Sequence, residues 1–450
     1  MSGIVVTHER LHWLILALLA PLLGLSLLLT APFQTPDEFA HFLRAAQLSE
    51  LDFRSLSGPD GAGGMIRSGY QRAVAEPEFN NLSFHPERQL NQAEFLRHDL
   101  WKQAVGAQRE YVAYANTAYY PSLNYVLPAL GLGLNTRLGG GAMTGLYAGR
   151  LATALGVTLI LFLSLRHITR GKVFCLTLLA MPMSIALMGA ISQDAALIAY
   201  TLAAVALGNR YLDAPDSPRA PLHLAGMGLL LLPVVLGRPP YAPLLLIPLL
   251  LARDPRERRA AGLVLIFSLV WLAVWFQWMK GGPQCPTPGV APALQWRHVL
   301  EHPLFSTAAV VLMTLVQLPA YAQQFVGRLG WLDTALPLYV ILGFLLALFW
   351  LFRRDRPVQG WTPAQRGIAF LILCVPFLIA LAQYLYWTPV GEFDVDGVQG
   401  RYYIPPVLLL SLLLRPAGAD DAHGLPWAVI AFLALANFHA LYLVAARFWA

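Results

Sequence analysis

Charged residues and cysteines are scarce in this chain. Of its 450 residues, 12% are Asp, Glu, Lys or Arg, whereas about a quarter are charged in a typical soluble domain. The three cysteines, Cys175, Cys285 and Cys374, lie far apart, and two of them fall inside apolar runs. The shortage of charge argues against an ordinary soluble domain. The cysteine spacing indicates neither a disulfide framework nor a metal-binding knuckle.

Apolar residues are correspondingly abundant, at 57% of the chain. Apolar stretches of roughly 20 residues, the length needed to cross a bilayer, recur from one end of the sequence to the other. The first, Leu11 to Ala31, is too long for a signal peptide and has no convincing small-residue cleavage site, so it is taken as the first span. The sequence therefore predicts an all-α polytopic membrane protein with a single transmembrane domain over residues 1–450.

Short basic connectors set the predicted topology. Because Lys and Arg concentrate in cytoplasmic loops, these connectors should face the cytoplasm. They lie at residues 166–172, 210–219, 253–259, 353–356 and 415. The net charge of +6 is scattered over such loops, and no stripe of alternating basic and aromatic residues is present. The lipid bilayer is therefore an expected partner, and nucleic acid is not.

Between these connectors the apolar runs predict about eleven spans. The predicted spans cover residues 11–31, 148–166, 173–191, 195–212, 222–237, 240–252, 260–279, 334–352, 366–388, 403–415 and 425–446. Two further segments, 119–136 and 305–325, would place a basic loop on the wrong side if either were counted alone. They are predicted to be interfacial or partly inserted helices. Counted as a pair of true spans, they would raise the total to thirteen.

Two long loops follow from this topology, both on the side opposite the basic connectors. Residues 32–147 form the first, with amphipathic helices. Residues 280–333 form the second, with a re-entrant or interfacial helix. A glycine-rich stretch at 58–69 is expected to be flexible.

The polar motifs that are not basic connectors all fall on this same predicted outer face. They are Thr35–Phe42 (TPDEFAHF), Arg150, Ser192–Ala195 (SQDA), Arg238–Tyr241 (RPPY), Gly327–Asp333 (GRLGWLD) and Gly397–Pro406 (GVQGRYYIPP). We therefore expect the chemistry of the protein on one face of the membrane.

The stretch TPDEFAHF also has the pattern of a helix start. Thr35 suits the N-cap, Pro36 the first helical position, and Glu38 the third position of a capping box. This interpretation leaves Asp37 without a role. At helical spacing, Asp37 and His41 share one face, so a carboxylate and an imidazole would project together.

Arginines at the ends of spans suit an anionic ligand. Arg401 stands between Gly400 and an aromatic pair, where small neighbours would let a phosphate approach. Its alternative role is snorkelling to the interface. Arg238 has the same two interpretations. Asp194, at the start of a span, is favoured there by the helix dipole alone, so a structural and a functional role remain balanced.

Three strings together resemble a known family. They are GVQGRYYIPP with the preceding YLYWTPVG, VGRLGWLDTALP at residues 326–337, and TPDEFAHF. Over nearly the whole chain the sequence resembles a bacterial family of predicted multi-pass membrane proteins of unassigned function, which is grouped by fold with the GT-C glycosyltransferases. Members of that superfamily carry an acidic pair after the first span and often an acid between the third and fourth spans. Asp37 with Glu38, and Asp194, stand at these positions.

The resemblance implies a GT-C bundle acting as a membrane glycosyltransferase. Such an enzyme transfers a sugar from a polyprenyl-phosphate donor to a glycan or lipid acceptor on the periplasmic face of the bacterial inner membrane, as in polysaccharide or lipopolysaccharide modification. The expected reaction is inverting, with Asp37 and Glu38 catalytic. The expected substrate-binding residues are His41, Arg150, Asp194, Arg238, Tyr241, Gln399, Arg401 and Tyr402. A divalent cation on Asp37, Glu38 and Asp194 would be compatible with this set, although no ligand spacing diagnoses one.

Two other classes of function remain open from the sequence. A transporter or flippase of lipid-linked sugars would also have many spans and proline-rich helices. Carriers, however, place ionisable groups near the bilayer midplane, and here these groups lie at the ends of the spans. A glycan ligase or polymerase with a polyprenyl diphosphate donor would share the outer-face site.

Overall fold

Helices make up most of the chain in the computed structural model, which describes residues 5–6, 8–58, 60–279, 288–416 and 425–450. The α-helices are α1 (Ala20–Leu29), α2 (Glu38–Ser49), α3 (Ser68–Ala75), α4 (Pro77–Asn80), α5 (Gln92–Arg97), α6 (Val126–Arg137), α7 (Ala142–Arg166), α8 (Lys172–Leu179), α9 (Pro182–Met188), α10 (Gln193–Asp213), α11 (Ala220–Gly237), α12 (Ile247–Leu251), α13 (Pro255–Trp278), α14 (Pro292–Glu301), α15 (Pro303–Val316), α16 (Leu318–Gly327), α17 (Leu338–Arg354), α18 (Pro363–Tyr386), α19 (Ile404–Leu409) and α20 (Trp427–Phe448).

Shorter elements connect these helices. The 3-10 helices are His8–Trp13, Asp99–Trp101, Ser122–Tyr125, Pro239–Leu246, Gly400–Tyr403 and Leu410–Leu413, and Ile15–Leu19 is a π-helix. The strands are β1 (Val5–Val6), β2 (Leu56–Gly58), β3 (Gly61–Arg67), β4 (Arg109–Ala113), β5 (Arg328–Leu329), β6 (Thr334–Ala335) and β7 (Leu425–Pro426). They pair as β1 with β7, β5 with β6, and a three-stranded sheet in the order β2-β3-β4.

Seven of the described helices are long and apolar enough to cross a membrane. They are His8–Leu29, α7, α10, α11, α13, α18 and α20. The count rises to eight if α14 and α15, bent by 108° at their junction, form one span. This architecture supports the predicted polytopic helical class, but the predicted count of about eleven is not confirmed.

The difference lies in four predicted spans that form shorter elements. The 173–191 run divides into α8 and α9 around Pro182, and the 240–252 run becomes a proline-rich 3-10 helix followed by α12. The 334–352 run corresponds to α17, which has 17 residues, and the 403–415 run is a succession of short helices. Proline explains the first two breaks, because it lacks the backbone N–H that a continuous helix needs.

The two segments that were difficult to place from the sequence are short helices as well. The 119–136 segment contains all but the last residue of the 12-residue α6, which at 1.5 Å per residue is about 18 Å long and so too short for the hydrocarbon core. It packs against α7 and α2. The 305–325 segment falls in α15 and α16, which meet at Gln317.

The basic connectors meet at one end of the bundle, which we call the basic end. Arg170 pairs with Asp213 at 3.5 Å, and the backbone N–H of Arg415 donates to the carbonyl of Asp355 at 2.7 Å. Spans α7 and α10 end here, and α11 begins here. The predicted grouping of the basic loops on one side agrees with this arrangement.

The first long loop contains an ordered sheet. Most of the 58–69 stretch that was expected to be flexible lies in β3, which pairs with β2 and β4. A Cβ on Gly63 would lie 1.9 Å from the carbonyl oxygen of Val112. The glycines therefore allow close strand packing here rather than flexibility. Cys285 lies outside the described residues.

Candidate functional site

Several of the predicted outer-face motifs meet at a cavity of about 660 Å³ at the end of the bundle opposite the basic end. Its walls come from the start of α2, the end of the first-loop sheet, the α11 C-terminus, the end of α18 and the 397–402 segment. The lining residues are Asp37, Phe39, His41, Asp60, Gly61, Ala113, Tyr114, Ala115, Asn116, Thr117, Tyr119, Tyr120, Arg238, Gln383, Trp387, Gly397, Gln399, Arg401 and Tyr402. We call this space the polar cavity.

Helix α2 starts two residues later than the sequence predicted. Asp37, not Thr35, is the N-cap, and it has a left-handed backbone with φ of 62°. No side chain caps the helix, so the predicted capping box of Thr35 and Glu38 is wrong. Aspartate is one of the few residues that tolerate this conformation. Because of this backbone geometry, the side chains of the neighbouring residues Asp37 and Glu38 point in different directions.

Asp37 reaches the polar cavity and meets an arginine there. Its Oδ2 accepts a hydrogen bond from Arg401 Nη2 at 2.7 Å, and its Oδ1 accepts one from Asn116 at 3.3 Å. The Asp37 side chain is 30% exposed, whereas that of Arg401 is 2% exposed. The carboxylate is therefore the accessible member of the pair, and the guanidinium forms part of the wall.

Gly400 fixes the position of Arg401. A Cβ on Gly400 would lie 2.0 Å from the carbonyl oxygen of Tyr321 and 2.6 Å from the backbone nitrogen of Phe325. The N–H of Gly400 also donates to the side chain of Gln324 at 2.8 Å. The glycine was expected to make room for an anion. Instead, it lets the chain lie directly against α16, which holds Arg401 in place.

Asp194 lies behind the cavity wall and joins two arginines. Arg238 Nη2 donates to Asp194 at 2.5 Å, and Arg401 Nη1 lies 3.5 Å from its other oxygen. Arg238 also stacks on the ring of Tyr402, with 3.6 Å from the guanidinium carbon to the ring centroid. The four charged groups form a chain in the order Asp37, Arg401, Asp194 and Arg238.

The electrostatics keep both arginines charged. Burial lowers the pKa of Arg401 and of Arg238, but Asp194 and the other acidic and tyrosine groups around each arginine together raise it by more, so both pKa values lie above that of ordinary arginine. The formal charges of the two guanidinium groups and the two carboxylates sum to zero. Because Asp37 is the partly exposed member, an anion that replaced it at Arg401 would find two positive groups already oriented.

His41 lines the polar cavity as a neutral imidazole. Burial lowers its pKa to about 4, against the opposing effect of Asp37 and Asp194. Its Nδ1 shares a hydrogen bond of 2.6 Å with the hydroxyl of Tyr125, and its ring stacks on that of Tyr120. The predicted shared face of Asp37 and His41 is therefore present, but His41 supplies no positive charge at neutral pH.

Glu38 and Arg150 lie elsewhere. Both side chains are fully buried and form a two-point pair, with Arg150 Nε at 2.8 Å and Nη2 at 2.5 Å from the Glu38 oxygens. Arg150 also donates to the carbonyls of Leu27, Thr30 and Ala31. Neither residue lines the polar cavity. The expectation that they contact substrate is therefore not supported, because the pair ties α7 to the end of α1 and the start of α2.

Of the remaining predicted residues, two line the polar cavity and one supports its wall from outside. Gln399 and Tyr402 line the polar cavity. Tyr241 is buried outside it, and its hydroxyl donates to the carbonyl of Tyr402 at 2.5 Å. Tyr241 therefore supports the ring on which Arg238 stacks.

Sequence reasoning missed several lining residues, among them Asn116, Tyr119, Tyr120, Gln383 and Trp387. The backbone of the two tyrosines is held in place: Trp275 donates to the carbonyl of Tyr119 at 2.9 Å, and the buried Arg44 to that of Tyr120 at 3.2 Å. One available signal was the presence of polar Gln383 near the end of an apolar span.

A second cavity, of about 340 Å³, shares part of its wall with the polar cavity. Tyr119, Tyr120, Arg238, Gln383, Trp387 and Tyr402 line both. The rest of the second wall is mainly apolar and includes Phe276 of α13, Ile379 of α18 and Pro239. We call it the apolar cavity. The Arg238–Tyr402 stack is part of the wall that the two cavities share.

The described acids do not fit the proposed metal site. No group of three or more His, Cys, Asp or Glu side chains in the described part of the chain is arranged to hold a metal ion. Asp37, Glu38 and Asp194 each have an arginine partner instead.

The helical spans and the charged cavity at their end describe a polytopic helical membrane protein. The model of one family, described as "Predicted membrane protein (DUF2142)", matches residues 21–410, which is most of the chain. The chain belongs to this family. No curated protein matches it, and neither does any solved structure.

Proposed function

We propose that the protein is a GT-C type glycosyltransferase that transfers a sugar from a polyprenyl-phosphate donor to a glycan or lipid acceptor at the periplasmic face. The observation that carries the proposal is the pair of chambers. The polar cavity, with its two oriented arginines, and the apolar cavity share part of their walls. An amphipathic phosphate matches this arrangement, with its sugar in the first chamber, its phosphate at the arginines and the start of its chain in the second.

The donor phosphate would bind at Arg401 and Arg238. Arg401 already donates to an exposed carboxylate, and the incoming phosphate takes over that Nη2 contact. Asp37 is thereby released from its cation. Its left-handed backbone and its hydrogen bond from Asn116 keep the carboxylate at the cavity.

Transfer then moves one proton and one electron pair. The released Asp37 carboxylate takes the proton from an acceptor hydroxyl as that oxygen bonds to the anomeric carbon. The bond from the anomeric carbon to the phosphate oxygen breaks, and its electrons stay on the phosphate. Asp37 loses one negative charge while the phosphate gains one next to the arginines, where preorganised donors stabilise it. Attack opposite the leaving group inverts the anomeric centre.

The experiment is a turnover assay in detergent, where no second compartment exists. Purified full-length protein is incubated with a panel of synthetic undecaprenyl-phosphate monosaccharides, and released undecaprenyl phosphate is measured. We expect wild-type protein to consume at least one donor, Arg401→Ala to consume it on the order of a hundredfold or more slowly, and the control Arg297→Ala, whose side chain is 74% exposed, to match the wild type. Donor transport across vesicles without consumption in detergent would instead identify a carrier and overturn the proposal.

A further inference from the structure

A third cavity, of about 550 Å³, lies at the basic end of the bundle. It is formed where α7 and α10 end and α11 begins. Its charged and titratable lining residues are Arg166, His167, Arg210, Asp213, Arg219 and His223. Asp194 and Asp213 stand near opposite ends of α10, and 21 residues of helix correspond to about 30 Å. This cavity is therefore separate from the polar cavity.

The lining carries unneutralised positive charge. Its one carboxylate, Asp213, is already engaged, because it accepts from Thr169 at 2.8 Å and pairs with Arg170. Arg166, Arg210 and Arg219 have no carboxylate partner among the residues that the structure describes. Burial lowers the pKa of His167, and Arg210 and Arg166 lower it further, as expected of a positive local potential.

The three arginines are exposed where they line this cavity. They are therefore accessible to a ligand that enters it. An anion bound here would neutralise the three guanidinium groups at the same time.

We infer that this cavity binds a phosphate-bearing anion. Guanidinium groups match phosphate oxygens in geometry and charge, and three of them converge here from two helix ends and a connector. The site lies at the ends of α7 and α10 and at the start of α11. A phospholipid headgroup and a free phosphate compound present the same chemistry to it, so two probes are needed to tell them apart.

The test compares two triple variants with the same change in charge. The cavity variant removes the three cavity arginines by Arg166→Gln, Arg210→Gln and Arg219→Gln. The control variant removes three exposed arginines at the start of α13, in another basic connector, by Arg256→Gln, Arg258→Gln and Arg259→Gln. Purified full-length protein is titrated with phosphatidylglycerol by native mass spectrometry and with inorganic phosphate by calorimetry, with phosphatidylcholine as the uncharged comparison.

We expect wild-type protein to bind at least one phosphate probe better than phosphatidylcholine. The cavity variant should bind that probe more weakly by roughly fivefold for each arginine, or on the order of a hundredfold in all, while the control variant stays near wild type. Binding of the lipid alone identifies a headgroup site, and binding of phosphate alone identifies a site for a soluble compound. If the triple cavity variant does not fold, Arg219→Gln alone should lose about fivefold.

Two outcomes would overturn the inference. One is that neither phosphate probe binds the wild-type protein. The other is that the two triple variants lose affinity equally, because the arginines would then act only as general surface charge.

Discussion

Two neighbouring acids, Asp37 and Glu38, meet two arginines in opposite surroundings. The Glu38–Arg150 pair is closed: both side chains are fully buried, and Arg150 also binds three backbone carbonyls. The Asp37–Arg401 pair is open, because Asp37 is partly exposed at the polar cavity and accepts only one arginine contact.

The difference shows how one helix start serves both stability and a site. The left-handed turn at Asp37 places its carboxylate at the cavity, while the next residue points into the bundle. A closed pair gains nothing from a ligand, since all its oxygens and nitrogens are oriented inward. An open pair can exchange a protein partner for a substrate, which is the property that the proposed mechanism uses.

The largest expected effect comes from breaking the closed pair. Glu38→Gln leaves the Arg150 charge buried without its counter-ion, which typically costs about 3–5 kcal/mol. The control Glu301→Gln breaks the exposed Arg297–Glu301 pair and should cost about 1 kcal/mol or less. Chemical unfolding in micelles, followed by tryptophan fluorescence, measures both. Equal unfolding midpoints for the two variants would show that the buried pair does not stabilise the fold.

Breaking the open pair should lower the turnover of the molecules that remain folded. Arg401→Ala removes the donor to the leaving phosphate and should lower turnover by on the order of 10²–10³, equivalent to about 3–4 kcal/mol of barrier. Arg401→Lys keeps the positive charge but loses the planar guanidinium that can donate two parallel hydrogen bonds, so its turnover should lie between those of the alanine variant and the wild type. Turnover assays with the undecaprenyl-phosphate panel rank the three proteins. A lysine variant slower than the alanine variant would contradict the phosphate-binding role.

His41 should make stability depend on pH. Its pKa is lowered from 6.5 to about 4 in the folded protein, so between these values the unfolded chain binds a proton that the folded chain does not. Stability from this group is therefore complete above about pH 6.5 and declines as the pH falls towards 4, by on the order of 3 kcal/mol. Unfolding midpoints of wild-type protein and His41→Gln from pH 7 to 4 measure it. The same slope in both proteins would exclude His41 as the source.

The smallest effect concerns the backbone beneath the open pair. Gly400→Ala places a Cβ against the backbone of α16 and should cost about 1–3 kcal/mol. It should also slow turnover, because Arg401 must shift. The control Gly262→Ala, where a Cβ meets nothing within 4 Å, should stabilise α13 by up to about 1 kcal/mol. If Gly400→Ala left stability and turnover unchanged, the packing argument for this glycine would be wrong.

Sequence reasoning found the open pair because its parts have clear local signatures. Asp37, Arg238 and Arg401 stand at the ends of apolar runs, and the topology placed those ends together, as the structure does. It failed for Glu38, since a capping box and a buried ion pair look the same in one sequence. Only the fold brings Arg150, 112 residues away, to that carboxylate.

The predicted count of about eleven spans is not confirmed, for a related reason. Apolar runs of sufficient length, such as 173–191, do not reveal that the chain breaks into α8 and α9 within the bundle. Asn116 and Gln383 were not predicted to line the polar cavity, because an isolated polar residue forms no recognisable sequence motif. The apolar cavity was missed because it exists only where α13 and α18 approach the Arg238–Tyr402 stack.

The most direct test of the account is the turnover of Asp37→Asn for each folded molecule, measured beside Glu38→Gln under the same conditions. The account predicts that Asp37→Asn stays folded and loses at least about a hundredfold in rate, while the Glu38→Gln molecules that remain folded turn over like wild type. Wild-type turnover by Asp37→Asn, or an equal loss of rate in folded Glu38→Gln, would contradict it.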